Sequence, residues 1–452
     1  MKLLLSDIAD CLGVKVNKDA QITSVSTDTR KIETGCLFVC LKGERFDAHD
    51  FIPQAAESGA VAIVSEKNVE CSVPVLKVES THKALLDIAR MYRERFNIPV
   101  VGLTGSVGKT TTKEMIYSVL SEKYNTLKTQ GNLNNEIGLP TTLFSLDEST
   151  EAAVIEMGMN HFGEISRLTN TCKPTMAVIT NIGVSHIEYL GSRDGILKAK
   201  CEIFEGLKKG SYAVLNGDDD KLITVKKDDY KIIFYGINNT ENDVRATDIV
   251  QNGESTSFTV NFGGKTQSVT IPTVGLHNVY DALAAFTVGI CHDIEPKKIA
   301  DGLSKYVPAG MRQRVKNVNG ITVVEDCYNA SPDSQKAAVD TLLALKGKRK
   351  IAVLGDMLEL GEKSPELHAE VGRYLSEKGI DMLLTYGELS RNTACAVTNG
   401  KTECFSFVSK DELTKKLLDV LKEGDVVLFK ASRGMKLEEV INNLYGEWNY
   451  NE

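Results

Sequence analysis

Short apolar runs recur along this chain, and most are followed by stretches in which apolar residues return every third or fourth position. Val61-Ala62-Ile63-Val64 and Val73-Pro74-Val75-Leu76-Lys77-Val78 are short β-branched runs and predict strands. Residues 81–96 follow with helical periodicity, placing Leu85, Ile88, Ala89 and Tyr92 on one face. Asn97-Ile98-Pro99 then breaks the helix, because the residue before a proline avoids the helical region. Farther on, 152–156 and 176–180 predict buried strands with helical segments between them, the pattern of a mostly parallel sheet. The texture changes over 230–274. Ser257-Phe258-Thr259-Val260-Asn261-Phe262 alternates residue by residue, predicting an antiparallel insert or edge. After Pro308, strand-like runs at 321–325, 350–354, 382–385 and 426–429 alternate with helical stretches. They predict a second doubly wound unit of Rossmann-like shape.

The pattern divides the chain into 1–97, 98–308 and 309–452, and 452 residues suit about three domains. The fold class expected is α/β throughout: an N-terminal α/β unit, a central parallel sheet and a C-terminal Rossmann-like unit. No tandem repeat or low-complexity segment interrupts it.

Composition narrows the function classes. The net charge of -8, with no long basic run, argues against nucleic-acid binding, which needs a clustered cationic face. The apolar start Met1-Lys2-Leu3-Leu4-Leu5 ends at Ser6, Asp7 and Asp10, so no signal peptide is expected. No apolar stretch approaches membrane-spanning length, and a cytoplasmic protein without membrane insertion is the expectation. The ten cysteines lack metal-like spacing; Cys36 and Cys40 have no second pair to complete a zinc site. Reduced, buried thiols are expected.

The sharpest local signal is Val100-Val101-Gly102-Leu103-Thr104-Gly105-Ser106-Val107-Gly108-Lys109-Thr110-Thr111-Thr112. An apolar strand enters a glycine turn and a helix follows. Backbone N–H groups of such a turn, with the positive helix end, cradle phosphate. Lys109 would reach the terminal phosphates, and the Thr110 hydroxyl would meet Mg²⁺. The general phosphate-loop pattern wants glycine where Leu103 stands, so a strict search would miss this loop. Nucleotide binding alone names no function.

Thr104-Gly105-Ser106-Val107-Gly108-Lys109-Thr110-Thr111 resembles the shortened phosphate loop of the Mur ligase family, TGTxGKT[TS]. Further matches follow in family order: Asn132-Leu133-Asn134-Asn135-Glu136-Ile137-Gly138-Leu139-Pro140, Glu156-Met157-Gly158, Thr180-Asn181-Ile182-Gly183-Val184-Ser185-His186, and Lys198-Ala199-Lys200-Cys201-Glu202-Ile203-Phe204. Gly275-Leu276-His277-Asn278, Gly310-Met311-Arg312 and Asp326-Cys327-Tyr328-Asn329-Ala330-Ser331-Pro332 continue it into the third domain. Ser26-Thr27-Asp28-Thr29-Arg30 and the segment 42–51 are similar to those holding the UDP-sugar end in the last two ligases of the pathway. The Asp-Asn-Pro-Arg or Asp-Asn-Pro-Lys signature of third-residue-adding members is missing. Segments 326–332, 354–361 and 430–433 instead resemble members that add D-alanyl-D-alanine. Asp281 stands where the family more often has Asn, and Ala48 where Gly is usual.

The resemblance implies an ATP-dependent amide ligase acting through an acyl phosphate, with UDP-muramoyl-tripeptide and D-alanyl-D-alanine as substrates. It implies that Gly105, Ser106, Val107, Gly108, Lys109, Thr110 and Thr111 bind the phosphates, with Asn278 at adenine, Arg312 near phosphate and Asp326 near ribose. One Mg²⁺ would sit on Thr110 and Glu156, and a second on Glu156, His186 and a carbamate formed on Lys200. Lys109, Glu156, His186 and Lys200 form the implied catalytic set. Ser26, Asp28, Arg30, Lys42, Gly43 and His49 would hold the UDP substrate, and Asn329, Ser432 and Arg433 the D-alanyl-D-alanine. Assigning Arg312 and Asp326 to the nucleotide of Lys109 requires the third domain to close, with a hinge near 307–310. A monomer is expected. Taken singly, each residue has a plainer reading: Glu156 as a helix cap, His186 as a satisfied polar residue, Lys200 as a surface charge, Asp326 as turn chemistry. Another amide ligase of the superfamily, or a nucleotide-dependent scaffold, remains the competing expectation.

Overall fold

A computed structural model describes residues 1–43, 46–226, 228–308 and 310–450. Glu44 and Arg45 of the expected sugar-end segment, and Ala309 of the expected hinge, lie outside the described residues.

Three main sheets follow one another along the chain. The first is parallel: Ser24–Ser26, Cys36–Val39, Ala60–Ser65 and Val75–Lys77 pair in chain order. The helix Thr81–Arg93 packs beside it, and its Leu85, Ile88, Ala89 and Tyr92 are all buried as the periodicity predicts. Ser80 caps the helix by accepting from the Lys83 N–H. Its far end fastens this unit to the next. Arg93 is buried and donates to the carbonyls of Cys172 and Phe96, while the Tyr92 hydroxyl donates to the Leu146 carbonyl.

The central sheet has nine strands. From one edge they run Lys265–Ile271, Ser255–Phe262, Val244–Asn252, Lys231–Gly236, Tyr212–Asn216, Met176–Ile179, Val100–Thr104, Ala152–Glu156 and Thr126–Lys128. The three strands from 244 to 271 form an antiparallel meander, so the alternating segment is an edge of this sheet. Lys231–Gly236 departs from the expectation. It runs parallel to Tyr212–Asn216 and belongs to the parallel part, although it falls in the segment read as antiparallel. The helix Leu276–Cys291 is buried around most of its circumference and packs on both this sheet and Lys109–Leu120.

The third sheet runs Arg314–Val318, Ile321–Glu325, Val426–Lys430, Lys350–Gly355, Met382–Tyr386 and Glu403–Phe407, parallel except for its first strand. All four expected strands are present. The two edge strands, Arg314–Val318 and Glu403–Phe407, are additional; their half-exposed faces weaken the apolar signal.

In both larger sheets the strand order reverses at an interior strand. Val100–Thr104 lies between Ala152–Glu156 and Met176–Ile179, and Val426–Lys430 lies between Ile321–Glu325 and Lys350–Gly355. Ligands of open parallel sheets bind outside the carboxyl ends of strands at such points. Among the described residues no helix is long and apolar enough to cross a membrane.

Candidate active site

A cavity of about 420 Å³ opens at these strand ends, lined by the phosphate loop, by Glu156 and His186, and from the third domain by Arg312, Asp326 and Asn329. The loop is clamped from the next strand end. Ser106 N–H donates to the Asn181 carbonyl (3.1 Å) and Val107 N–H to Asn181 Oδ1 (2.9 Å). Thr180 Oγ1 donates to the Val107 carbonyl (2.7 Å), and Gly183 N–H to Ser106 Oγ (2.9 Å). Gly105 and Gly108 have φ of 157° and 86°. A Cβ on Gly105 would lie 1.8 Å from Thr180 Oγ1, and one on Gly108 2.6 Å from Asp281 Oδ1. Only glycine fits either place.

The helix Lys109–Leu120 starts directly after Gly108, so its first N–H groups face the cavity. Lys109 folds back and donates to the carbonyls of Gly105 (2.7 Å) and Ser106 (3.3 Å). Removal from bulk water holds its pKa below the ordinary lysine value, opposed by the nearby Glu156 carboxylate and helped by Arg312. Glu156 ends its strand buried, accepting from Thr110 Oγ1 (2.9 Å) and Asn134 Nδ2 (2.8 Å). The two residues expected to share a metal ion are therefore in contact.

Lys200 is 2% exposed and is not among the residues that line the cavity. Among the described residues its amine has no hydrogen-bond or ion-pair partner. Burial, then the charge of Lys109, depresses its pKa well below the ordinary value. The plain reading as a surface charge is excluded. His186 lines the cavity with φ of 62°, and its Nδ1 lies 2.8 Å from Glu359 Oε2.

The third domain contributes a buried pair. Lys430 Nζ donates to Asp326 Oδ2 (2.6 Å) and to the Asn329 carbonyl (3.1 Å). The guanidinium of Arg312 lies 3.9 Å from the centroid of the Tyr328 ring, and that of Arg433 lies 6.0 Å from it. Arg433 also pairs with Glu438 (3.0 Å). Ser432 is a buried strut that accepts from Leu358 N–H and donates to the Ala330 carbonyl, and neither Ser432 nor Arg433 lines the cavity. Asn278 is buried, with Nδ2 donating to the Val274 carbonyl (2.7 Å) and Gln313 Oε1 (2.8 Å) and lying 3.2 Å from Thr273 Oγ1.

None of the expected UDP-sugar residues lines this cavity, and their hydrogen bonds fall into two local networks, one over 26–30 and one over 42–49. Asp28 accepts from Arg30 through side chain and backbone, which lowers its pKa to about 2. Gly43 N–H donates to the Phe46 carbonyl, and Lys42 bridges to Asp47. Ser26 Oγ donates to the Asp28 carbonyl. His49 is used internally. Its Nε2 accepts from Glu66 N–H (3.0 Å), so Nδ1 carries the proton that reaches Asp47 (2.6 Å).

Sequence reasoning missed Lys113. Its ammonium is fully buried, 3.4 Å from Glu114 and 3.7 Å from Glu156. It stands one helical turn beyond Lys109, but a lysine in a helix ordinarily reads as solvent-facing. Lys430 and Tyr328 sat inside recognised segments without an assigned role. The cysteine expectation needs correction. Cys36, Cys40, Cys172 and Cys327 are buried, but Cys395 and Cys404 are exposed on the outer edge of the third domain.

Asp281, the departure from the family pattern, accepts from Thr112 Oγ1 at 2.6 Å. Burial raises its pKa from 3.8 to about 7. A carboxyl raised on folding contributes its stability fully below the unfolded value, and that contribution is lost as pH climbs to the folded one. Asp281→Asn is therefore expected to match the parent near pH 4 and gain progressively to pH 7, reaching on the order of 4 kcal/mol. Urea unfolding across that range tests this; a pH-independent difference would contradict it.

A phosphate loop at the switch point of a parallel sheet, faced by a second α/β domain that supplies cationic and acidic groups to one cavity, defines a nucleotide-dependent α/β enzyme. Family comparisons name it more closely. Residues 21–93 match the family description "Mur ligase family, catalytic domain", 103–289 match "Mur ligase middle domain", and 311–433 match "Mur ligase, glutamate ligase domain". A UDP-N-acetylmuramoyl-tripeptide--D-alanyl-D-alanine ligase of Bacillus subtilis (strain 168) is 43% identical over 94% of this chain and 93% of its own. The crystal structure of MurF from Acinetobacter baumannii superposes with a TM-score of 0.92 at 31% identity, covering 99% of each chain. MurF ligase from Thermotoga maritima, solved in complex with ADP, gives 0.86 at 31% identity over 94% of this chain and 98% of that one. The chain belongs to the Mur ligase family.

Proposed function

We infer that this chain joins D-alanyl-D-alanine to UDP-N-acetylmuramoyl-tripeptide in peptidoglycan precursor synthesis, driven by ATP. The observation that carries the reading is the convergence of Lys109, Thr110, Glu156, Arg312 and Asp326 on one cavity, in a chain whose full-length relatives bear that activity in their names. Addition of the third peptide residue is not favoured by those relatives.

A free carboxylate does not condense with an amine unaided. The tripeptide carboxylate attacks the γ-phosphorus of ATP, and the bond to ADP breaks. The dipeptide amine then attacks the acyl carbon of the acyl phosphate, loses a proton, and inorganic phosphate leaves. What the protein supplies is alignment and neutralisation of charge. The N–H groups at the start of Lys109–Leu120 receive phosphate oxygens, and Lys109 exchanges its two carbonyl partners for the terminal phosphates. Arg312 approaches from the opposite side, where stacking on Tyr328 fixes its guanidinium plane. Asp326, anchored by Lys430, keeps its second oxygen for ribose hydroxyls. Asn278 serves adenine, for which its amide exchanges present partners.

The Thr110–Glu156 contact suits a Mg²⁺ ion, a hard cation that takes hydroxyl and carboxylate oxygens. The residues proposed for a second ion are Glu156, His186 and a carbamate on Lys200. Burial depresses the pKa of the Lys200 amine well below the ordinary value, which favours the neutral form, the one that adds carbon dioxide. When bound, the ions would neutralise the phosphates and polarise the transferring group. Ser26, Asp28, Arg30, Lys42 and Gly43 are proposed to hold the UDP end, with His49 supporting them from below. Asn329 and Arg433 are proposed for the dipeptide, whose carboxylate suits paired guanidinium donors; Ser432 holds that loop in place. The proposed domain limits are 1–97, 98–308 and 309–452. One chain supplies every group named, so a monomer suffices, working in the cytoplasm beside its ATP supply.

The test is phosphate release. Turnover is expected to need both UDP-muramoyl-tripeptide and D-alanyl-D-alanine, with ADP as co-product. If lysine or diaminopimelate supports turnover on the dipeptide precursor instead, the reading is wrong.

A further inference from the structure

Two non-glycine residues with left-handed backbone face each other across the cleft between the central and third domains. His186 has φ of 62° and Glu359 has φ of 63°. Such a backbone costs energy for residues of this kind, and an observed outlier of this sort invites a functional explanation. Both outliers serve one contact, since His186 Nδ1 lies 2.8 Å from Glu359 Oε2. The segment around it is also shared between domains: the short helix Ile187–Leu190, which His186 caps, touches the turn Gly361–Lys363.

The contact is close but incomplete. Nδ1 is buried and has no aligned hydrogen bond, although the carboxylate is within reach. Glu359 is half-exposed, at 47% for its side chain, and its pKa is drawn down by the facing imidazole. A small rigid-body shift of the third domain would bring the carboxylate into line with the ring N–H. The imidazole has two nitrogens, and the partner of one fixes which way the other points.

We propose that Glu359 is a positioning residue: seated by the third domain, its carboxylate accepts the Nδ1 proton of His186 and turns Nε2 toward the nucleotide cavity. The ring of His186 then takes its working orientation only when the third domain, which carries Arg312 and Asp326, is in place. Charge neutralisation in the central domain and nucleotide contact by the third domain become one event. This proposal rests on the reading of His186 as a metal ligand.

The test uses the full chain with Mn²⁺ as probe and β,γ-methylene-ATP as nucleotide, with Mn²⁺ affinity read by electron paramagnetic resonance alongside steady-state kcat. Partners that orient a ligating histidine are typically worth 10–100-fold in metal affinity or activity. Glu359→Ala is expected to weaken Mn²⁺ binding about 10-fold or more and to lower kcat similarly, with KM for ATP little changed. Glu359→Gln, which keeps an acceptor oxygen, is expected to stay within about 3-fold of the parent in both. A structural role for the charge alone would not give that rescue. His186→Ala, measured in parallel, separates the two claims. If His186→Ala weakens Mn²⁺ binding while Glu359→Ala leaves it unchanged, the positioning proposal is overturned and the ligand reading stands. If neither variant alters Mn²⁺ binding, the ligand reading fails and the proposal falls with it.

Discussion

Lys200→Ala is expected to lose roughly 10²–10³-fold in kcat, the usual cost of deleting one pre-positioned group that stabilises developing charge, while ADP binding survives. The side chain is buried, its pKa is depressed, and the hydrogen bonds of the phosphate loop do not involve it. As an ammonium it would repel both Lys109 and any bound cation. As a carbamate it is an anion of carboxylate shape. Formate or acetate added to Lys200→Ala should therefore restore part of the rate by occupying the vacated place. Lys200→Arg should remain inactive and unrescued, because guanidinium keeps its charge and cannot be carbamylated. Phosphate-release rates with calorimetric ADP titration distinguish the outcomes. Near-normal turnover in the Arg variant would mean that a cation suffices there, and the metal role proposed for Lys200 would have to be dropped.

Lys109→Ala is expected to fail in the complementary way. Its ammonium rests on the carbonyls of Gly105 and Ser106, poised at the mouth of the helix that follows. Removing it should lower kcat/KM for ATP by about 10²–10³-fold and also weaken ADP binding, which Lys200→Ala should spare. Folding should hardly suffer, since the lysine is drawn away from water and makes only two hydrogen bonds to backbone. A thermal midpoint close to the parent's, with nucleotide affinity lost, is the expected pair of results. Unchanged ADP affinity would remove Lys109 from the phosphate site.

What the sequence disclosed follows from where its signals arise. Buried strands such as Ala152–Glu156 and Ile321–Glu325 are mostly apolar runs, and the chain states them outright. The strand Lys231–Gly236 is only partly buried and adjoins an alternating meander, so its texture blended with its neighbours. Only pairing to Tyr212–Asn216 reveals it as parallel. At the site, Gly105, Gly108 and Lys109 were legible because a phosphate loop is local in sequence. Lys113 was not, because one of its two carboxylate partners, Glu156, is far away in the chain. His49 and Ser432 carry the residue types of ligand contacts, yet both are consumed by internal hydrogen bonds that only the fold discloses. Glu359 lay inside a recognised segment, but its partner His186 belongs to another domain.

The central claim is the bond this protein makes, and mass spectrometry of the product tests it most directly. Purified protein is incubated with UDP-N-acetylmuramoyl-tripeptide, D-alanyl-D-alanine, ATP and Mg²⁺, and the nucleotide-sugar product is weighed and fragmented. The account predicts one product equal to the two substrates less one water, with the D-alanyl-D-alanine unit at the peptide's carboxyl end. An unchanged tripeptide despite ATP consumption, or a product that gains lysine or diaminopimelate from the dipeptide precursor, would contradict it.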